Sequence, residues 1–265
     1  MAAAEHHWRD TTRAWLVPRG TPLRAQWDPA QGRSWSDEDE ATWRELCQRN
    51  PKLHDGAIVR ASGFDPETMT FRVSPDSYRA FAVQEGKPAG VVPRADRFDE
   101  SLIWLVGVKG WLVARDGAGH EHLMIARRSA QTRIYGLCWE SAPAGAIEFE
   151  ASLAHESSAL DLTVSVRSAL QHEAREELEM EVDAARAEPI VIVQDSIARS
   201  FDIFMQIVLR QTIIPARSPA CFSSGERWEY LDAAWLSRKD ATRFASAGAV
   251  STPTCAAMAA LGWIS

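Results

Sequence analysis

Between residues 172 and 180 the chain reads HEAREELEM, and Glu173, Glu176 and Glu177 fall within little more than one helical turn. At about 100° per residue, Leu170, Ala174 and Leu178 form an apolar stripe and the three carboxylates occupy the neighbouring sector. A helix with this pattern buries one edge and presents acids from the next. In open water that is a solvated face, unfavourable by only about 0.2–0.5 kcal/mol per like-charged pair. The i,i+4 pairs His172–Glu176 and Arg175–Glu179 would offset it. At a cleft, the same oxygens suit a hard divalent cation, magnesium with manganese as a substitute.

Upstream, WESAPAGAIE (139–148) supplies a partner for that helix. Gly145 lets the backbone come close to a ligand, and Pro143 and Ala144 leave little side chain in the way. A carbonyl of Ala144 or Gly145 with Glu173, Glu176 and Glu177 makes an all-oxygen metal set. A cation there would bind the oxygens of a diphosphate and neutralise charge as a P–O bond breaks. Arg127 and Arg128, at the end of a strand leading to this loop, can clamp a phosphate, or can be a solvated strand end. Asp195 and Asp202 can add a carboxylate from a second element, or serve turns and caps. Trp139 can stack on a base, or pack in the core like any of the 11 tryptophans. His120 and His122 lie near a turn without a third partner at ligand spacing, and read as surface residues. No G-x-S-x-G, G-x-G-x-x-G or G-x-x-x-x-G-K-[ST] motif occurs, so neither a serine nucleophile elbow nor a glycine-rich nucleotide loop is supported.

These residues need a scaffold, and the pattern predicts one. Ser36 is an N-cap for a helix opening on Asp37, Glu38, Asp39 and Glu40 and stopped at Asn50-Pro51. GAIVRASGF and TMTFRVS flank the turn-forming DPE as a hairpin, and DSYRAFAVQ (76–84) predicts a short helix. The apolar stretch LIWLVGVKGWLVA (102–114) predicts two strands around a turn. DGAG then turns the chain into HLMIARRS. PIVIVQD (189–195) and IFMQIVLRQ (203–211) are strands, so the carboxylate helix lies between strands. WEYLDAAWLS leads into the helix KDATRFASAG, and another helix follows Thr252-Pro253. Residues 1 to about 35 read as a strand or two with irregular connections. EGKPAGVVPRAD (85–96) divides an N-terminal α+β accessory region, 1–100, from a main α/β domain, 101–265.

The chain has 265 residues, 46% apolar and 25% charged, which is globular composition with a substantial core. A net charge of −7 argues against broad nucleic-acid or anionic-membrane binding. Cys47, Cys138, Cys221 and Cys255 are widely spaced and form no metal-type pair, so reduced thiols are expected. The opening MAAAEHHWRD is no secretory signal, and 102–114 is too short to span a bilayer, which makes the cytoplasm the expected location.

HEAREELEM, with Gly145 ahead of it, resembles the box of the Nudix hydrolase family. In that alignment Glu173, Glu176 and Glu177 stand in register as metal-binding glutamates, and Gly145 is the opening glycine. The stretch from Gly145 to His172 is about 13 residues longer than the family's spacing. Val164 stands for an early Glu, His172 for an Arg and Glu179 for a late Gly. NPKLHDGAIVR (50–60) and DSYRAF (76–81) are further similar to the branch that hydrolyses UDP-glucose and UDP-galactose in mammals, over roughly residues 43–215. The resemblance implies an α/β/α sandwich with a mixed sheet and a magnesium-dependent pyrophosphatase. Its substrate would be a small nucleoside diphosphate derivative, a UDP-sugar giving UMP and a sugar 1-phosphate. ADP-ribose, a dinucleotide or a prenyl diphosphate are alternatives with the same chemistry. A non-catalytic nucleotide-binding module is the alternative without it. Homodimerisation through the N-terminal region is left open.

Overall fold

The computed structural model describes residues 5–8, 10–28, 34–51, 53–86, 98–99, 101–149, 159–215 and 229–265. The N-terminal part supplies β1 (Glu5–His7), β2 (Thr12–Leu16), β3 (Arg24–Trp27), α1 (Asp37–Arg49), β4 (Ala57–Asp65), β5 (Thr70–Ser77) and α2 (Tyr78–Gly86). It is followed by β6 (Trp104–Asp116), β7 (Glu121–Arg128), β8 (Trp139–Ser141), β9 (Ala144–Ala146) and β10 (Ala159–Asp161). Then come α3 (Leu162–Leu178), β11 (Glu188–Asp195), β12 (Ser200–Ile213), β13 (Tyr230–Ser237), α4 (Arg238–Ser246) and α5 (Thr252–Ala260). Cys221, residues 87–96 of the boundary stretch and residues 150–158 of the lengthened loop lie outside the described residues. Cys47, Cys138 and Cys255 form no disulfide with one another.

One mixed sheet runs β1-β2-β11-β12-β6-β4-β5-β3-β10, with β7 leaving β6 to pair β13 and β8, and β9 lying on β6. The β12–β6 and β3–β5 pairs are parallel. α3 closes one face over Leu112, Met124, Ile192, Ile203 and Met205, burying Val166, Leu170, Ala174 and Leu178. α4 and α5 close the other over Trp111, Ile125, Val193 and Phe204. Helices on both faces of a mixed sheet make the α/β sandwich that the resemblance implies.

The predicted helix after Ser36 forms as α1. The Ser36 hydroxyl accepts from the Asp39 N–H at 3.1 Å, and the Asp39 carboxylate accepts from the Ser36 N–H at 3.1 Å, a reciprocal capping box. The hairpin and the later strands also form. Residues 102–114 do not: the two predicted strands are one, β6, and its glycines make no turn. They serve close approach instead. A Cβ on Gly110 would meet Pro143 Cδ at 2.5 Å and Ala142 O at 2.8 Å, and Gly107 lies 3.1 Å from Gly145 O by the same measure. These contacts bring the 142–146 segment onto the middle of β6, where Val108 pairs with Gly145. His122 is also corrected. It is buried, with Nε2 3.1 Å from the Asp116 carboxylate, because β7 is covered on both faces and buries every residue from 122 to 126.

The N-terminal strands hydrogen-bond into this sheet, β2 against β11 and β4 against β6. The NPKLHDG and DSYRAF segments meet each other. The Tyr78 N–H donates to Gly56 O at 2.8 Å, and the Arg79 N–H to Asp55 Oδ1 at 3.0 Å.

Candidate functional site

The last two turns of α3 face the loop around β9, and packing explains which glutamate goes where. With Leu170, Ala174 and Leu178 turned into the core, Glu177 is drawn in beside them and is buried, Glu173 is half-buried, and Glu176 is exposed. The Ala144 N–H donates to Glu177 Oε2 at 2.8 Å, which fixes the helix to the loop. Glu173 lies against the Cα of Gly145. A Cβ there would sit 1.7 Å from Glu173 Oε1, so any other residue would make this carboxylate shift from where it lies.

Two further acids complete the cluster, and neither is related to the helix by spacing. Glu229, just before β13, shares a hydrogen bond with Glu177, and Glu148, just after β9, acts on Glu173. Burial raises the Glu173 carboxyl to about 8, helped by the charges of Glu229, Glu176 and Glu148. Burial raises Glu177 well above the usual range, helped by Glu229 and Glu173 and opposed by the Ala144 N–H. Such carboxylates must either hold protons or be neutralised by something bound.

The donor chemistry suits a hard cation, being carboxylate oxygen throughout. Among the described residues, however, no three His, Cys, Asp or Glu donors stand close enough together to hold a metal ion as they are placed. The helix itself ends on Glu179 in the left-handed conformation, φ 51° and ψ 33°. The predicted Arg175–Glu179 pair does not form, since Arg175 reaches past the turn to Glu181 at 2.8 Å. His172 pairs with Glu176 at 3.4 Å, as expected.

The acids line a cavity of about 500 Å³, bounded opposite α3 by Leu53, His54 and Tyr78 from the two N-terminal motifs. It joins a smaller one of about 230 Å³ through Leu53, Tyr78, the 144–146 segment and Glu229. The smaller cavity has a charged floor. Lys109 Nζ donates to Glu140 Oε2 at 2.7 Å, Arg128 bonds the other Glu140 oxygen, and the Tyr230 hydroxyl donates to it at 3.1 Å. Burial alone would raise Glu140, but Lys109 and Arg128 outweigh it and hold the carboxyl at about 2. Asp202, on β12 beside Lys109, is raised by burial. Two cations, Lys109 and Arg128, thus face two acids, Glu140 and Asp202, at the floor.

Of the residues singled out by sequence, Glu173, Glu176, Glu177, Ala144, Gly145 and Arg128 come together at these two cavities. Arg127 does not, and stays exposed with its Nε 3.4 Å from Leu137 O. Trp139 packs edge-on against Phe244 of α4, with ring centres 6.1 Å apart. Asp195 is buried under the Tyr135 hydroxyl, which donates at 2.5 Å, and caps the turn through the Ile197 N–H. Glu229, Glu148, Lys109 and Glu140 were not singled out.

Neither a comparison with models of known protein families nor one with curated proteins finds a match for this chain. Among solved structures, similarity is found to DR0079 from Deinococcus radiodurans, 21% identical over 64% of this chain and 90% of that one, with a TM-score of 0.39. The NUDIX domain of Shewanella oneidensis NrtR complexed with ADP ribose is 12% identical, over 63% and 93%, with a TM-score of 0.40. A NUDIX hydrolase from Alicyclobacillus acidocaldarius is 16% identical, over 60% and 90%, with a TM-score of 0.39. Likeness at this distance assigns neither family membership nor activity.

Proposed function

We propose that the chain is a Nudix-type pyrophosphatase that hydrolyses the diphosphate bond of a nucleoside diphosphate derivative, a UDP-sugar first, to UMP and a sugar 1-phosphate. The observation that carries this reading is the gathering of carboxylates at the loop: Glu177 buried and held by the Ala144 N–H, Glu173 packed against Gly145, and Glu229 hydrogen-bonded to Glu177. Glu173 and Glu177 would hold magnesium, or manganese in its stead, with Glu176 and a carbonyl of the 144–145 segment contributing. Bound there, the cation would supply charge neutralisation for the diphosphate. Residues 1–100 act in this reading as an accessory region that closes the cavity over the domain formed by 101–265. The lining by Leu53, His54 and Tyr78 supports that role and the UDP-sugar branch, since these residues belong to the two motifs that carry that resemblance.

The chain's own residues do the rest. The cationic groups of Lys109 and Arg128 draw one phosphate into the smaller cavity, and the Glu140 carboxylate keeps both side chains fixed. Water attacks one phosphorus and the bond to the bridging oxygen breaks, with the other phosphate leaving. A carboxylate of the cluster takes the water's proton. The test is turnover of UDP-glucose, UDP-galactose, ADP-ribose and NADH with and without magnesium, with products identified by mass. UMP and a sugar 1-phosphate are expected. Turnover of ADP-ribose or NADH alone would keep the chemistry and discard the sugar nucleotide.

A second reading, a nucleotide-binding module without turnover, is favoured by one observation: as placed, the carboxylates are not gathered into a three-donor group among the described residues. Metal-independent binding of one of these compounds without hydrolysis would establish it.

A further inference from the structure

Asp202 stands between Phe201 and Ile203 in the buried middle of β12, an apolar run in which a carboxylate is out of place. Among the described residues it caps no turn, as Asp195 does, and no ion pair holds it. Ser200 Oγ and Lys109 Nζ come near enough to ease its ionisation, but Ser200 Oγ has no hydrogen-bond partner and Lys109 Nζ bonds Glu140 instead, at 2.7 Å. Asp202 is 7% exposed and lines the smaller cavity, and neither of its oxygens is sealed from it.

The sheet sets what this carboxylate can reach. β12 runs parallel to β6 with Asp202 opposite Gly107, so Asp202 lies on the same face as Lys109, two residues further along β6. Because Gly107 has no side chain, a notch remains: a Cβ there would lie 3.1 Å from Asp202 Oδ1 and 3.1 Å from Gly145 O. Both flanking atoms are hydrogen-bond acceptors. Leu105, Ala198 and Pro253 wall the same cavity and add no side-chain donor. A buried acid without a donor is costly, so the group that fits beside it is one that brings its own O–H. With Lys109 and Arg128 on the same floor, the cavity suits a phosphate joined to a ring that carries hydroxyls.

We propose that Asp202 determines specificity by accepting from a ring hydroxyl of the sugar 1-phosphate half of the substrate, which enters the smaller cavity with its phosphate at Lys109 and Arg128. This rests on the pyrophosphatase reading for its substrate and adds which half of that substrate lies where. Selection works by exclusion, since a ring of similar size without hydroxyls buries Asp202 with no partner.

The test uses the full chain with magnesium and two pairs of compounds, one member of each carrying ring hydroxyls. Glucose 1-phosphate is compared with cyclohexyl phosphate in calorimetric binding, and UDP-glucose with the cyclohexyl ester of UDP in turnover. Wild type should bind glucose 1-phosphate about tenfold or more tighter than cyclohexyl phosphate, the scale of one hydrogen bond to a charged acceptor. Asp202→Leu should abolish that preference and bind UMP as wild type does. Asp202→Asn, which keeps the shape and one acceptor, should reduce the preference in part, and it decides the matter if thermal melting shows the leucine variant unfolded. The proposal is overturned if wild type shows no preference, if the folded variants keep it in full, or if UMP binding is lost in its place. Turnover separates this from the pyrophosphatase reading. Hydrolysis of both UDP compounds at equal rates sinks the role of Asp202 alone, whereas the binding preference without any hydrolysis keeps that role and discards the pyrophosphatase.

Discussion

At the scale of single residues, Glu177 and Gly145 define the proposed site between them. Glu177→Gln keeps the shape and the bond from the Ala144 N–H while removing the carboxylate that would bind a cation. Stability should therefore hold, and kcat should fall by about 100-fold or more, the scale of losing one electrostatic element of an active site. Thermal melting beside steady-state kinetics checks both. Gly145→Ala should lower kcat by about 100-fold as well, because the added methyl must displace the Glu173 carboxylate and misplacement of about 1 Å costs that much. A wild-type rate in either variant contradicts the assignment. The three helix glutamates and Gly145 were legible in sequence because helical geometry fixes their sector and only glycine fits a backbone approached so closely. Glu229 and Glu148 were not legible. They reach the cluster from the ends of β13 and β9, and no spacing rule connects those segments to α3.

Among the elements, the C-terminus of α3 carries a testable cost. Glu179 occupies the left-handed position after the last turn, where glycine is favoured, and a residue with a Cβ there is strained by about 1–2 kcal/mol. Glu179→Gly should accordingly stabilise the protein by about 1 kcal/mol, raising Tm by about 2–4 °C. An unchanged or lower Tm would mean that the Glu179 side chain offsets the strain. α1, α3 and the β4–β5 hairpin were readable because capping residues, a 3.6-residue stripe and a turn sequence each act locally. β6 was misread because glycine has two uses. Only the three-dimensional position of Pro143 shows that Gly110 serves close approach, whereas sequence offers a turn with equal plausibility. Of the two readings of Trp139, packing holds, and sequence could not name its partner because the helix it packs on lies about a hundred residues further along.

For the whole molecule, the Glu140 network ties β6, β7, β8 and β13 together through Lys109, Arg128 and Tyr230. Its carboxyl, held at about 2 against an ordinary 4.5, contributes stability that is fully present above pH 4.5 and is lost as pH falls toward 2. The difference corresponds to about 3 kcal/mol. Urea unfolding at a series of pH values should show stability falling across that window in wild type, and a flatter profile in Glu140→Gln. That variant should also be destabilised at pH 7 by about 3–5 kcal/mol, since it leaves two buried cations without their acid. Equal slopes in the two proteins would contradict the network's role. The central claim, that the α3 carboxylates and the Gly145 loop form a divalent-cation site serving a diphosphate, is tested most directly by titrating the protein with Mn2+ and following free ion by electron paramagnetic resonance. Saturable binding that magnesium displaces, and that Glu177→Gln abolishes while remaining folded, is the result expected. Wild-type protein that binds no Mn2+, or binds it equally well without the Glu177 charge, would contradict the account.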